Sequence, residues 1–440
     1  MSGQIIGLLG LGALIALVLL RVPIAVALGV VAVTGYAAVD GWRRALIAIG
    51  NTPYEMAEKY ALTVVPLFVL MGVVAARAGM SRELYRAANA MFSGVRGALA
   101  MGTIGACAGF GAICGSSLAT TATLTRVAVP EMQRYGYDLR IATGVVASGG
   151  TLGILIPPSI ILIIYALFAE RSVPELYAAA LFPGIALTIL HIIAIAVIAR
   201  LQPGRLPKVP GLPISERLRA AAQLWKMALL FAIAVGGIYA GIMSPTEAAA
   251  VSAFAAIVIA FLTCDFGWRD LLESMMETVW TTGVLFFIAV TAFLFGYFMV
   301  LTQLPVTVAA WVKALDVAPW VVILLLVGVY LVLGCFLDSL SMIVVTVPVF
   351  LPLVQAIYPD NPNIAVWFGI VMVVVVEMGL ITPPVGMNIF VLRAQLPEIP
   401  LATMFSGIGP FLLADFALIA LLLSVPDLAL WLPRTLGFLS

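Results

Sequence analysis

Long apolar runs recur along this chain, and they limit it to one class of fold. Residues 5–20, 176–199, 321–336 and 411–423 are examples. Runs close to 20 residues long cross a bilayer core of about 30 Å. Charged residues make up 10% of the chain and hydrophobic ones 63%, whereas an ordinary soluble domain carries about 25% charge. A water-facing surface cannot be built from such a sequence, so the chain is a polytopic, all-α membrane protein. The first run begins almost at Met1, but similar runs follow it, so it is expected to be a span and not a cleaved signal.

Some runs interrupt themselves. GGTLGILIPPSI, 149–160, combines Gly149, Gly150 and Gly153 with Pro157 and Pro158, a pattern that no unbroken helix accommodates. Backbone groups left unpaired in hydrocarbon cost several kcal/mol each, so such a break survives only inside protein or beside a water-filled cavity. GLITPPVGMN, 379–388, repeats the pattern and adds the Thr382 hydroxyl and the Asn388 amide. A proline kink that only shapes packing explains one such break, but two in matched surroundings point to binding.

The surroundings do match. A polar connector rich in proline and basic residues, 201–219, separates two apolar halves. The first half runs from GAICGSSLATTATL through GILIPPS to LFPGIAL; the second runs from GCFLDSLSMIVVTVP through GLITPPVGMN to GIGPFLL. From Ser116 to Pro157 is 41 residues and from Asp338 to Pro383 is 45; Pro158 to Gly184 is 26 and Pro384 to Gly409 is 25. Three ordered landmarks at matched spacing indicate an internal duplication.

Basic residues orient the halves. Arg77, Arg82, Arg86 and Arg96 form one cluster, and Arg200 through Lys226 form another. Keeping both in the cytoplasm requires 97–134 to return to its own side as a re-entrant hairpin, and the second hairpin then enters from the opposite face. Inverted repeats with broken helices are a common architecture of secondary transporters. The expected organisation is N-terminal spans and an interfacial arm helix in 1–60; a first repeat in 61–200, with hairpin 97–134 and broken helix 141–168; and a cytoplasmic connector in 201–226. Scaffold spans and an interfacial helix follow in 227–277. A second repeat occupies 278–424, with a hairpin near 320–357 and broken helix 364–392, and a C-terminal tail covers 425–440.

Carbonyls at a half-helix C-terminus ligate cations, and amides at the next N-terminus favour anions. The first hairpin tip offers Ser116, Ser117, Thr120, Thr121 and Thr123 beside small residues; the second offers Asp338, Ser339 and Ser341. Asp338 lies between VLGCFL and SLSMIVV, well inside the bilayer, where an ionisable group is costly and usually functional. Glu377, in VVVVEMGL, and Asp415, in LLADFAL, fit either function or structural hydrogen bonding. Ser116, Thr120, Pro157, Thr382 and Asn388 are the candidates to hold a substrate. Cys107, Cys114, Cys264 and Cys335 show no CxxC spacing and read as reduced thiols. A lone histidine, His191, cannot form a multi-histidine metal site, which leaves packing or hydrogen bonding. The chain has no GxxxxGK[ST] loop for ATP, and a net charge of +1 offers nothing to nucleic acid.

GIYAGIMSPTEAAAVSAF, GLITPPVGMNIFVL, ILIPPSI and FLDSLSMIVVTVPVFLP resemble the large membrane subunit of tripartite ATP-independent periplasmic (TRAP) transporters. The resemblance begins at RVPIAVALG and runs essentially end to end. It implies an elevator-type, Na⁺-coupled importer of organic acids in the bacterial inner membrane, and not an enzyme. It also implies two partners, a small four-span membrane subunit and a periplasmic binding protein. Carried over by motif, one Na⁺ site uses Cys114, Ser117, Gly153, Ile156 and Pro158. The other uses the turn from Gly334 to Asp338 with Gly379, Thr382 and Val385. Cys114 stands where the family usually has serine, a change of little effect if the ligand is its carbonyl. A stand-alone anion transporter of the same architecture is the alternative. An intramembrane serine protease built on CGSSLA is remote, because its base would have to be His191.

Overall fold

The computed structural model describes residues 2–315 and 317–439. Among them the chain is helical throughout, apart from an isolated β-bridge between Arg96 and Lys208. Five helices are long and apolar enough to cross a membrane unaided, and three sharply bent helix pairs bring the total to eight. This is the all-α, polytopic architecture that the apolar runs require.

The first half starts with α1 (Gly3–Leu19), α2 (Ile24–Asp40) and the arm helix α3 (Trp42–Glu58), then α4 (Val64–Arg77) and the amphipathic α5 (Met80–Phe92). The first hairpin is α6 (Ala98–Cys114) and α7 (Ser117–Arg134), and the first broken helix is α8 (Leu139–Leu155) and α9 (Ile160–Phe168). The long α10 (Val173–Leu201) closes the repeat, with the Ser172 hydroxyl accepting from the Glu175 N–H at its start.

The connector holds α11 (Ile214–Ala222), which packs on α5. There Arg217 donates to the Ser93 carbonyl at 2.9 Å, and Lys226 reaches Glu83 at 2.8 Å. These contacts bring the two basic clusters to one end of the molecule. A bent span follows, from α12 (Trp225–Phe231) through a π-helical turn to α13 (Gly237–Tyr239). SPTEAAA then opens α14 (Pro245–Thr263). The Ser244 hydroxyl accepts from the Glu247 N–H at 3.3 Å, and the Glu247 carboxylate accepts from the Ser244 N–H at 2.7 Å. The most distinctive motif of the chain is therefore a capping box with proline at the first helical position.

The second half opens with α15 (Trp268–Thr302), a 35-residue helix about 52 Å long at 1.5 Å per residue. The stretch 266–278, expected as a separate interfacial helix, is instead the start of this one. After Gly267, where the helix starts, no proline and no glycine before Gly283 stops propagation into the apolar run. α16 (Leu304–Ala314) is the counterpart of α5. The second hairpin is α17 (Pro319–Gly334) and α18 (Ser339–Ile357), and the second broken helix is α19 (Ile364–Gly379) and α20 (Met387–Gln395). After α21 (Leu401–Ser406) and α22 (Gly409–Ser424) comes α23 (Asp427–Thr435). The expected C-terminal tail thus contains a helix that packs on α10, with the Trp431 and Phe182 rings 5.5 Å apart.

Two bodies result. α15 packs along α2 and α4, and α14 packs on α4. The hairpins, the broken helices, α10 and α22 pack on one another around α8 and α19, both buried along nearly their whole length.

Candidate transport site

α6 ends where Gly115 turns left-handed, at φ 64°. α7 restarts at once because the Ser116 hydroxyl accepts from the Ala119 N–H at 3.4 Å. The facing break follows the same local logic. Ile156, Pro157 and Pro158 leave the helix, and the Ser159 hydroxyl caps α9 by accepting from the Leu162 N–H at 3.3 Å. Tip and break touch backbone to backbone. A Cβ on Gly115 would lie 2.8 Å from the Pro158 carbonyl oxygen, and one on Gly153 would lie 3.1 Å from that of Ser116. Cys114, Ser117, Gly153, Ile156 and Pro158 all lie in this contact or next to it in the chain. Gly72 of α4 lets the tip approach the other body, since a Cβ there would lie 2.9 Å from Cys114 Cα.

The second repeat builds the same contact. A Cβ on Gly379 would lie 2.6 Å from Gly334 Cα, as one on Gly111 would lie 2.3 Å from Gly153 Cα. The Cys335 thiol donates to the Pro383 carbonyl at 3.1 Å. Asp338 caps α18, accepting from the Ser341 N–H at 3.3 Å and from the Ser341 hydroxyl. The Thr382 hydroxyl donates back to the Met378 carbonyl at 2.7 Å. Val385 is half-buried, while Pro383 and Pro384 are exposed; the first break, by contrast, is buried throughout. Both double-proline junctions are cis.

Between the two tips lies a cavity of about 450 Å³, within the range of small-molecule sites. Ser116, Ser117, Asp338 and Ser339 line it from the hairpins, and Glu277 and Thr281 from α15. Behind it the buried Glu377 carboxylate accepts from the Ser117 hydroxyl, and from the Ser339 hydroxyl at 2.8 Å. Sequence reasoning had left Glu377 open between function and packing, and had missed Glu277 altogether. Arg77, at the end of α4, holds Glu273 and Glu277 at 2.7 Å each. A basic group on α4 is therefore ion-paired to one of the residues that line the cavity, although neither hairpin tip nor break carries one.

Hairpins and breaks in this order identify an architecture, and comparison with known proteins identifies the family. A family model described as the DctM component of the tripartite ATP-independent periplasmic transporter matches residues 11–428. The chain belongs to that family. It is 36% identical to the C4-dicarboxylate TRAP transporter large permease protein DctM of Pseudomonas aeruginosa, over 87% of this chain and 88% of the relative. It is 29% identical to the sialic acid TRAP transporter large permease protein SiaM of Vibrio cholerae, over 86% of this chain and 87% of the relative. The crystal structure of the Alcanivorax borkumensis YdaH transporter shares its fold, with a TM-score of 0.64 at 17% identity over 91% of this chain and 90% of that one. This TRAP large permease is thus a multi-pass protein of the bacterial inner membrane.

The permease does not bring all five substrate candidates to the cavity. Ser116 lines it. Thr120 and Asn388 are buried to one side, where α7 and α20 pack on α8; Asn388 donates to the Ala147 carbonyl at 3.0 Å, and a Cβ on Gly153 would lie 2.8 Å from Thr120 Oγ1. Pro157 is buried in the first break, and Thr382 is half-buried beside the second. Along the same stretch of α8, Thr120 Oγ1, Thr121 Oγ1, Ser148 Oγ and Asn388 Oδ1 have no hydrogen-bond partner among the described residues. Buried polar atoms normally have one, so the packing along α8 leaves hydrogen-bonding capacity unused beside the cavity. His191 serves elsewhere: its Nε2 lies 3.1 Å from the Asp415 carboxylate, between α10 and α22. Hydrogen bonding is one of the two roles that the sequence leaves open for each.

Proposed function

We propose that this permease imports small organic acids, C4-dicarboxylates or related carboxylates such as sugar acids, driven by a Na⁺ gradient. The observation that carries the reading is the convergence of both hairpin tips on one cavity. α7 and α18 present their N-termini there, from Ser117 and Ser339, and helix N-termini attract anions. Carbonyls of the tip and break at Gly153–Pro158, with the Ser117 hydroxyl, form an oxygen-only donor set that suits a hard alkali cation. Cys114 would contribute its carbonyl. Gly334, Asp338, Gly379, Thr382 and Val385 would form the second cation site. Ser116 would meet the substrate in the cavity, with Thr120 and Asn388 on its α8 flank and Pro157 and Thr382 at the two breaks. The body of hairpins and broken helices would then move as an elevator against α4, α14 and α15. The relatives are transporter permeases, which favours transport over catalysis.

The same geometry argues for partners. Helix termini contribute about 0.3–1 kcal/mol each to holding an anion, up to about 2 when partly buried. Micromolar affinity corresponds to about 8 kcal/mol. Arg77 adds little, because Glu273 and Glu277 already occupy its guanidinium. A periplasmic binding protein would deliver substrate at effective concentrations that the cavity cannot reach by affinity alone, and a small four-span subunit would complete the membrane part. The test is uptake by proteoliposomes under an inward Na⁺ gradient with micromolar substrate. Uptake is expected to be weak until the binding protein is added, and strong afterwards. Robust uptake without it would overturn the tripartite reading in favour of a stand-alone transporter.

A further inference from the structure

Glu377 joins the two repeats at a single carboxylate. Its Oε2 accepts from Ser117, the first residue of α7, and its Oε1 accepts from Ser339, the first residue of α18, at 2.8 Å. The residue is 2% exposed, and α19 is buried along its whole length, so water does not compete for these bonds. Both serines donate to it. Each hydroxyl has one proton and two lone pairs. With the protons held by Glu377, the lone pairs of both serines point away from it.

We propose that Glu377 is a positioning residue that prepares both hairpin tips for a cation at once and makes binding at one tip depend on the other. This rests on the Na⁺ reading above. Ser117 belongs to the first cation site of that reading, and Ser339 follows Asp338 of the second. A cation that draws on the Ser117 oxygen holds that hydroxyl in place and with it the carboxylate, which leaves less ordering to be done at Ser339. Order imposed at one tip thus lowers the cost of order at the other. The coupling acts equally in both directions, as any linkage between two sites must.

Glu377→Gln keeps the shape but changes the chemistry. An amide offers one acceptor oxygen and one donor nitrogen. One serine must then turn from donor to acceptor, and at Ser117 the lone pair used is one that otherwise faces its cation. Ser339→Ala removes the second-hairpin leg alone, at a residue outside both proposed cation sites.

The experiment uses the full chain purified with its small membrane subunit, and follows thermal stability against Na⁺ with choline as the ionic-strength control. Wild type is expected to respond with a Hill slope above one. Glu377→Gln should raise the midpoint about tenfold, equivalent to about 1.4 kcal/mol, and bring the slope to one. Ser339→Ala should also flatten the slope, with a smaller midpoint shift, and it carries the test if Glu377→Gln does not fold. Unchanged midpoint and slope in the variants, or a uniform loss of stability at every Na⁺ concentration, would show that Glu377 merely fastens the tips. That result would overturn the inference and leave the Na⁺ reading standing. A wild-type slope of one would overturn the coupling alone, and a wild type indifferent to Na⁺ would overturn both.

Discussion

Alanine at Gly111 puts a methyl carbon 2.3 Å from Gly153 Cα and 2.9 Å from Gly153 N. Non-bonded carbons settle at about 3.5–4.0 Å, so α6 and α8 must part by about 1 Å or more. No flexible side chain can yield here, because both nearest atoms are backbone. Overpacking of this kind costs about 1–3 kcal/mol. Exchanging glycine for alanine inside a helix also stabilises by about 1 kcal/mol through propensity, and a control can cancel that gain. Gly283, within α15, has nothing within 4 Å of its would-be Cβ. The difference between Gly111→Ala and Gly283→Ala therefore isolates the steric cost. Heating each detergent-solubilised variant while following intrinsic tryptophan fluorescence gives the comparison. Gly283→Ala should melt at or above wild type, and Gly111→Ala below it. Gly379→Ala, whose methyl would lie 2.6 Å from Gly334 Cα, should fall with Gly111→Ala. Equal midpoints for Gly111→Ala and Gly283→Ala would refute the claim that hairpin and broken helix meet backbone to backbone.

Two further outcomes follow from the site and the topology. Asp338→Asn should insert normally yet lower uptake and weaken its Na⁺ dependence, measured in proteoliposomes at several Na⁺ concentrations; wild-type rate and Na⁺ response would exclude a coupling role. In a background without the four native cysteines, a cysteine replacing the exposed Arg134 should react with an impermeant thiol reagent only from the cytoplasm. One replacing the exposed Pro359 should react only from the periplasm, and labelling of both from one side would rule out inverted repeats.

What the sequence disclosed was local chemistry. Gly115 and Ser116 and the two double prolines each determine their own turn within a few residues, so hairpins and breaks were legible. The segment from 266 to 278 misled because its charges suggested an interface, while nothing in it stops a helix from running on. α23 was missed for the opposite reason: it is short, and its stability comes from packing on α10, which lies far away in the chain. The site divides in the same way. Tip and break residues could be listed, but the partners of Glu377 in two different hairpins could not. Nor could the grip of Arg77 on Glu273 and Glu277, some 200 residues away. Such pairings leave no trace in local spacing.

The tie between His191 and Asp415 bears on how the two halves came to differ. It joins α10 to α22, the helices that close the two repeats. With Gly184 matched to Gly409, the counterpart of His191 is Phe416 and that of Asp415 is Leu190. Two identical halves related by a two-fold axis would hold any such contact twice, with the roles exchanged. By this match one pair of positions holds an acid and an imidazole, and the other holds two apolar residues. Neither half could therefore be replaced by a copy of the other without burying an unmatched histidine or aspartate.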